Sequence, residues 1–452
     1  LAIALLIGAC RKRDADAQEL DNLVNFESAA QGIGEAEQFT DIKLKLSRAV
    51  TQNVNVIVNV TATNLTYGTD YTTTPAVVDG AINVTIPSGN NEAVIKVNKI
   101  ADLLYDGDEE VQLDIYSSGA PVIIGTNKSF KVTFSELIAN EASIVLNGGG
   151  ANYPNKVFVD ISANRQTAVN RNNWDLGFYT GAENRVIMNS SINMMVKQIN
   201  KNDLTTVTAA DTVGLISEMA FNFDPVGLPF VDYPTGNLTR TAIAEIAANA
   251  SDNKVYIVNR GTSPGPNSSA RGWKKIRIIR SANGYTLQHA DIASTTFQEI
   301  QITKDPAYFF TYASFETGAL KVEPEAKKWD IAWTYFVNTT TAGGTEVPYL
   351  YQDIILINRN VQVAKVLTAA VSFESFGESN LAGLTFNTAQ NSIGADWRMG
   401  GGPGMSPAVY ADRFYIVKDG DNNIYKVKFT SLTDNNGVRG NPAYQVKLVK
   451  KG

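Results

Sequence analysis

The side chains able to do chemistry are few, and their scarcity narrows the function. The 452 residues include one cysteine, Cys10, one histidine, His289, and six methionines. A nucleophile needs a base within hydrogen-bond reach, and a single imidazole with a single thiol near the start of the chain leaves no such pair to build. Zinc sites of histidine type need several imidazoles, and the count excludes them, as it excludes disulfides and cysteine-based metal sites. Any two carboxylates that meet in space can form a glycosidase pair, but no spacing here marks one. The methionines are the remaining soft donors. Met188, Met194, Met195 and Met219 lie in one stretch, and Met399 and Met405 flank Gly400, Gly401 and Gly402 in another. Methionine is also a routine filler of irregular cores. These residues read as a protein that is not an enzyme.

Cys10 follows Leu1–Ala9, an apolar run of signal-peptide length and far too short to span a bilayer, and precedes Arg11, Lys12 and Arg13. The pattern resembles a bacterial lipoprotein signal with Cys10 as the lipidated residue. Residues 1–25 then form signal and tether. The expected location is the outer membrane, at the cell surface of a Gram-negative bacterium, held by acyl chains rather than by a transmembrane helix. The net charge of −6 comes without a clustered basic face, so no nucleic acid is expected as a partner.

The elements that would position a site are short strands. Thr, Asn, Val, Ile, Tyr and Phe are frequent, and Asn-Gly and Asp-Gly turn signals recur, as at Asp79-Gly80 and Asn283-Gly284. The chain is organised around Asn173-Trp174-Asp175-Leu176-Gly177-Phe178-Tyr179, which returns as Lys328-Trp329-Asp330-Ile331-Ala332-Trp333-Thr334. Each copy has a partner strand downstream, Val255-Tyr256-Ile257-Val258 and Phe414-Tyr415-Ile416-Val417. The tryptophans are 155 residues apart and the tyrosines 159, which points to a duplicated module of domain size. The modules are expected at 141–297 and 298–452. Each should hold a strand before the Trp-Asp strand, then an irregular insert, then a closing antiparallel set packed against the Trp-Asp strand. Gly148-Gly149-Gly150 reads as a flexible joint. Thr241–Ala248 is the best helix candidate, with a second near Leu204–Met219, and His289 reads as a surface strand residue.

The two Trp-Asp stretches, with KVFVDIS, YFFTYASFETGALKVE and RFYIVKDGDNNIYKVKF beside them, resemble the HmuY family of all-β surface lipoproteins. That resemblance implies a small-ligand carrier working beside a TonB-dependent outer-membrane receptor, with haem as one ligand of the family, held by paired axial histidines or methionines. One histidine cannot make a bis-His site. A bis-Met site would draw on Met188, Met194, Met195 and Met219 in the first insert, or on Met399 and Met405 in the second. The entropy of ordering the glycine-rich loop argues for weak haem binding or none.

Residues 26–140 alternate with the period of half-buried strands, as in Val54–Val60. Tyr67-Gly68-Thr69-Asp70-Tyr71, followed by Ala101-Asp102-Leu103-Leu104-Tyr105-Asp106-Gly107-Asp108-Glu109-Glu110, is similar to a Calx-β domain, an immunoglobulin-like sandwich. The resemblance implies calcium in the acidic loops, with Glu35, Asp70, Asp102, Asp106, Asp108 and Glu109 as the candidate oxygen ligands. Ala101 stands where the family has a further aspartate, so an acidic hairpin without metal is the expectation.

The fold class is therefore all-β: an N-terminal Calx-β-like sandwich followed by two repeated HmuY-like antiparallel modules. The function expected is non-catalytic capture of a small ligand at the cell surface. The alternatives are a structural or adhesive surface protein, or a carbohydrate-binding accessory lipoprotein.

Overall fold

The computed structural model describes residues 21–34, 37–100, 109–134, 144–162, 165–220, 224–265, 268–402, 404–434, 437–450 and 452. The chain divides into a unit ending at Glu136 and a unit from Leu137 to Gly452.

The N-terminal unit is a sandwich of two sheets. One orders Val122–Ile124, Asn22–Phe26, Phe39–Leu46, Glu92–Lys99 and Tyr71–Thr74. The other orders Ala30–Gly32, Ser129–Thr133, Glu110–Ser118, Val54–Thr63, Ala81–Ile86 and Val77–Val78. Alternation decides the inner faces: Val54, Val56 and Val58 are buried and Asn55, Ile57 and Asn59 exposed. The inward rows meet in one core holding Phe26, Ile42, Val58, Ile95, Leu113 and Phe130. At Asp79-Gly80 both residues have positive φ, 50° and 78°, as the tight hairpin turn requires.

The C-terminal unit contains two sandwiches of similar plan. In the first, Val255–Asn259, Trp273–Ser281, Gly284–Asp291 and Gln298–Thr303 follow one another in a sheet edged by Met195–Ile199. In the second, Gln362–Leu367, Arg413–Lys418, Ile424–Thr433 and Arg439–Lys450 do the same, edged by Ile144–Val145. Gln298–Thr303 thus completes the first closing sheet, although a boundary at 297 assigns it to the second module.

Each closing sheet faces a Trp-Asp strand, Leu176–Tyr179 or Ile331–Ala342. Leu176 and Phe178 share a core with Tyr256, Val258 and Ile276. Ile331 and Trp333 share one with Tyr415, Val417 and Val427.

The strand that precedes each Trp-Asp motif does not pair with it. Asn155–Asp160 pairs with the second motif's strand, Val159 opposite Ile331. Phe310–Ser314 pairs with the first motif's strand, Leu176 opposite Ala313. The repeats therefore exchange equivalent strands, while each closing set packs against the Trp-Asp strand of its own repeat. The physical reason is that a two-fold register needs only matched strand edges, whichever copy supplies them.

Gly148 is no flexible joint. A Cβ there would lie 1.9 Å from the Gly440 carbonyl oxygen and 2.4 Å from the Trp333 ring, so glycine is what lets this backbone close on the second core. Thr241–Ala248 is not helical either: Ile243 and Ile246 are buried in the first core while the chain runs in bends. Among the described residues helical structure is confined to short pieces, such as the single turns Leu204–Thr206 and Leu215–Glu218 and the 3-10 segment Pro225–Phe230.

Candidate functional site

Strand exchange brings the two Trp-Asp motifs together. Trp174 meets the Tyr312 ring edge-on at 4.9 Å, and Trp329 meets Phe158 edge-on at 5.0 Å. Tyr312 and Phe158 sit at matching positions on the exchanged strands, and all four rings belong to one apolar cluster. An asparagine braces each motif. Asn189 Nδ2 donates to the Arg171 and Trp174 carbonyls at 2.8 and 2.9 Å, and Asn358 Nδ2 donates to those of Ala326 and Trp329, both at 2.8 Å.

The aspartates match in place but not in electrostatics. Asp175 is fully buried, accepts the Phe315 amide at 2.9 Å, and is held by Arg260 Nε at 3.0 Å and Arg271 Nη1 at 2.9 Å. Asp330 accepts the Ile161 amide at 2.7 Å, and no cation reaches it among the described residues. Burial, with Asp160, Asp419 and Asp421 nearby, raises its pKa well above the usual carboxylate range.

Between the motifs lies an enclosed chamber of about 70 Å³ walled by Trp174, Trp329, Phe310, Tyr312, Phe336 and Met188. A more open recess of about 350 Å³ adjoins it and shares Gly236, Asn237, Asn358, Arg359 and Gln390 with the chamber wall. Gln390 is fixed by its backbone, which donates to Thr235 and accepts from Ile357.

Ionisable groups also line the chamber. Glu323 accepts the Phe310 amide at 2.7 Å and the Tyr312 hydroxyl at 2.9 Å, and burial pushes its carboxyl up to about 7. Burial lowers the Lys156 ammonium to about 8. Asp232 accepts the Met188 and Ala242 amides at 2.7 and 2.9 Å, yet burial still raises it to about 6. Two buried polar atoms on wall residues, Trp329 Nε1 and Thr334 Oγ1, have no hydrogen-bond partner among the described residues.

This geometry is built twice from one pattern, and the family model described as HmuY protein matches the chain twice, over residues 152–303 and 309–446. The chain belongs to the HmuY family. No curated protein matches the sequence. Similar solved structures include the apo form of the Calx CBD1 domain, 15% identical, covering 26% of this chain and 97% of that one with a TM-score of 0.22. Apo PinO from Porphyromonas gingivitis is 17% identical over 35% of this chain and 87% of that one, with a TM-score of 0.15. A Bacteroides ovatus protein described as "a putative carbohydrate binding protein" is 11% identical over 95% of this chain and 98% of that one, with a TM-score of 0.17.

The six methionines of this HmuY-family chain are dispersed. Met188 and Met194 are in the first core, whereas Met195 and Met219 are in a separate apolar cluster with Leu204 and Val255. Met399 is half-buried in the short strand Arg398–Met399, and Met405 is 55% exposed. Only Met188 lines the chamber. His289 is buried, 3% exposed, against the Phe315 ring at 5.3 Å, which corrects its reading as a surface residue. Burial lowers its pKa.

Of the acidic candidates, Glu35, Asp102, Asp106 and Asp108 lie outside the described residues, as does Cys10. Asp70 Oδ2 accepts the Thr66 amide at 2.6 Å in its own turn, and Glu109 is buried. The described residues contain no group of three or more His, Cys, Asp or Glu placed to hold a metal ion. Among them, no helix is long and apolar enough to cross a membrane.

Sequence reasoning missed Lys156, Asp232, Glu323, Asn358 and Gln390. They come from five separate stretches and share no motif. The one available signal was the asparagine that follows an apolar strand in each repeat, Met188-Asn189 and Ile357-Asn358.

Proposed function

We propose that this protein is a non-catalytic lipoprotein, anchored at the cell surface through Cys10, that captures a small ligand in the seam between its two HmuY modules for delivery to a TonB-dependent receptor. The observation that carries the reading is the recess itself: an aromatic chamber, roofed by both Trp-Asp motifs, whose wall keeps two buried polar groups unpartnered. A buried donor without an acceptor costs about 1–3 kcal/mol, so a ligand or ordered water that meets it is favoured. Ligand sites are concave, largely apolar and fitted with a few convergent polar groups, and the seam has that character.

Haem fits it poorly. A macrocycle held by Met188 would have to enter the chamber of about 70 Å³ that Met188 borders, because the adjoining recess of about 350 Å³ has no methionine in its wall. Met188 is the only soft donor in the wall. Titration of haemin into the full-length mature protein tests this point, and the expected result is no saturable Soret band. A sharp band at one or two equivalents, lost on Met188→Ala, would restore haem as the ligand.

The general reading is tested by thermal shift against a library of small polar metabolites and sugars. Capture in the seam predicts at least one stabilising ligand, with the stabilisation lost in Gln390→Ala. A library that stabilises wild type and Gln390→Ala equally would refute it.

A further inference from the structure

We infer that the seam is a carbohydrate site, in which the outer recess takes a sugar ring and the inner chamber receives one of its substituents. The inference rests on the seam being the place of capture. Three observations carry it.

The first is which hydrogen-bonding groups are still free. Asp232 and Glu323 already accept from Met188, Ala242, Phe310 and Tyr312. The unused groups are mostly donors. Asn237 Oδ1 accepts from the Thr239 amide and hydroxyl, both at 2.9 Å, and its Nδ2 makes no bond to a described residue. The Gln390 amide makes none, and Arg359 commits one guanidinium N–H, to the Gly236 carbonyl at 2.9 Å. Trp329 Nε1, buried in the chamber wall, has no acceptor among the described residues. A ligand dense in oxygen acceptors, with hydroxyls to serve the Gln390 carbonyl in return, satisfies this set.

The second is the apolar wall. Sugar substituents such as a hydroxymethyl or acetamido group carry apolar C–H surface, and Trp and Tyr offer a flat apolar body to receive it. Trp174, Trp329 and Tyr312 supply that surface in the chamber, while the amides of Asn237 and Gln390 stand where the chamber meets the recess that holds the ring.

The third is scale. The outer recess, about 350 Å³, is at the lower end of the range for small-ligand pockets, roughly 300–1,000 Å³. It admits a single ring. The chamber behind, at about 70 Å³, admits a substituent of a few heavy atoms. Gly236 lets the shared wall close against Gln390: its φ is +75°, and a Cβ would lie 2.9 Å from Gln390 Cβ.

The test uses the full-length mature protein, with saturation-transfer NMR and calorimetry against the methyl glycosides of glucose, galactose, mannose and N-acetylglucosamine. At least one should bind. Gln390→Ala and Asn237→Ala should each weaken it about tenfold, the usual scale for one lost hydrogen bond in a pocket. Trp329→Phe removes the Nε1 donor together with part of the ring surface, so it too should weaken binding, and because Trp329 is buried against Phe158 the variant's melting temperature is read alongside. If no glycoside binds, the carbohydrate assignment is overturned. If one binds but the three variants bind it as wild type does, its placement in the seam is overturned. If no glycoside binds but a non-sugar metabolite stabilises the wild type and the variants lose it, the seam captures but not a sugar. If neither a glycoside nor any member of the metabolite library stabilises the wild type, the capture reading fails as well.

Discussion

Asp330 accepts its hydrogen bond from the amide of Ile161, 169 residues earlier in the chain, at 2.7 Å. The counterpart joins Asp175 to the amide of Phe315 at 2.9 Å across 140 residues, in the opposite direction. Each carboxylate thus ties its own repeat to the strand lent by the other, but the two are neutralised differently. Asp175→Asn would leave Arg260 and Arg271 buried without their carboxylate, and breaking one side of a buried pair costs about 3–5 kcal/mol. Arg260 keeps Glu316 at 2.7 Å, which places the cost toward the lower end. Asp330→Asn removes no cation's partner and retains an oxygen for Ile161, so its cost should stay within about 1 kcal/mol. Urea midpoints of the two variants at neutral pH check the asymmetry.

The same asymmetry predicts how stability varies with pH. Asp330 is raised well above the usual range, Asp232 to about 6 and Glu323 to about 7, all chiefly by burial. A raised carboxyl stays protonated in the folded state while the unfolded chain has already lost its proton. The folded state then binds more protons, and stability falls as pH rises from the unfolded pKa, about 4, through the folded one. The urea midpoint should therefore be higher at pH 5 than at pH 8. Asp330→Asn should flatten the curve. A midpoint that rises steadily from pH 5 to pH 8 would contradict the assignment.

Local pattern made most strands legible. Val54–Thr63 alternates because one of its faces is buried, and Tyr425, Val427 and Phe429 line a core at every second position although Lys426 between them is buried as well, its ammonium held by the Phe373 and Phe376 carbonyls. The duplication was equally visible, since Trp174 and Trp329 must each fill an anchor position. Strand exchange was not, because Asn155–Asp160 and Phe310–Ser314 carry equivalent edges and the sequence does not say which copy each will pair with. The seam inherits that ambiguity. Lys156 and Glu323 meet one chamber only because the strands cross over, and no spacing within either repeat foretells it.

Calcium should leave the melting temperature of the N-terminal unit unchanged at millimolar concentration. Asp70 spends its carboxylate on the Thr66 amide, and Ala101 removes an acidic ligand beside Asp102. A ligand bound only by the native state would raise the melting temperature, so a rise of several degrees would show a site in the acidic loops.

Cys10→Ser should move the protein out of the membrane fraction or leave the precursor uncleaved. One acyl chain gives only marginal membrane binding, so firm retention of wild type also requires more than one chain on Cys10. Detergent partition of wild type and variant, with mass spectrometry of the N-terminal peptide, distinguishes lipid anchoring from a fortuitous cysteine.

The exchanged strands bear most directly on whether either repeat can fold by itself. A fragment of residues 141–305 carries the strand Leu176–Tyr179 without its partner Phe310–Ser314, and it carries Asn155–Asp160 with no Trp-Asp strand to pair with. It also loses Tyr312 from the Trp174 ring contact and the Phe315 amide from Asp175. A fragment of residues 306–452 has the mirrored defects at Trp329 and Asp330. Each exposes an unpaired, apolar strand edge, which favours association with another chain. Expressed alone, each should be poorly soluble or lack the sharp amide dispersion of a packed β protein. Mixed or co-expressed, they should form a one-to-one complex with a cooperative melt. Two fragments that fold separately, stay monomeric and ignore one another would show that the repeats close on their own strands.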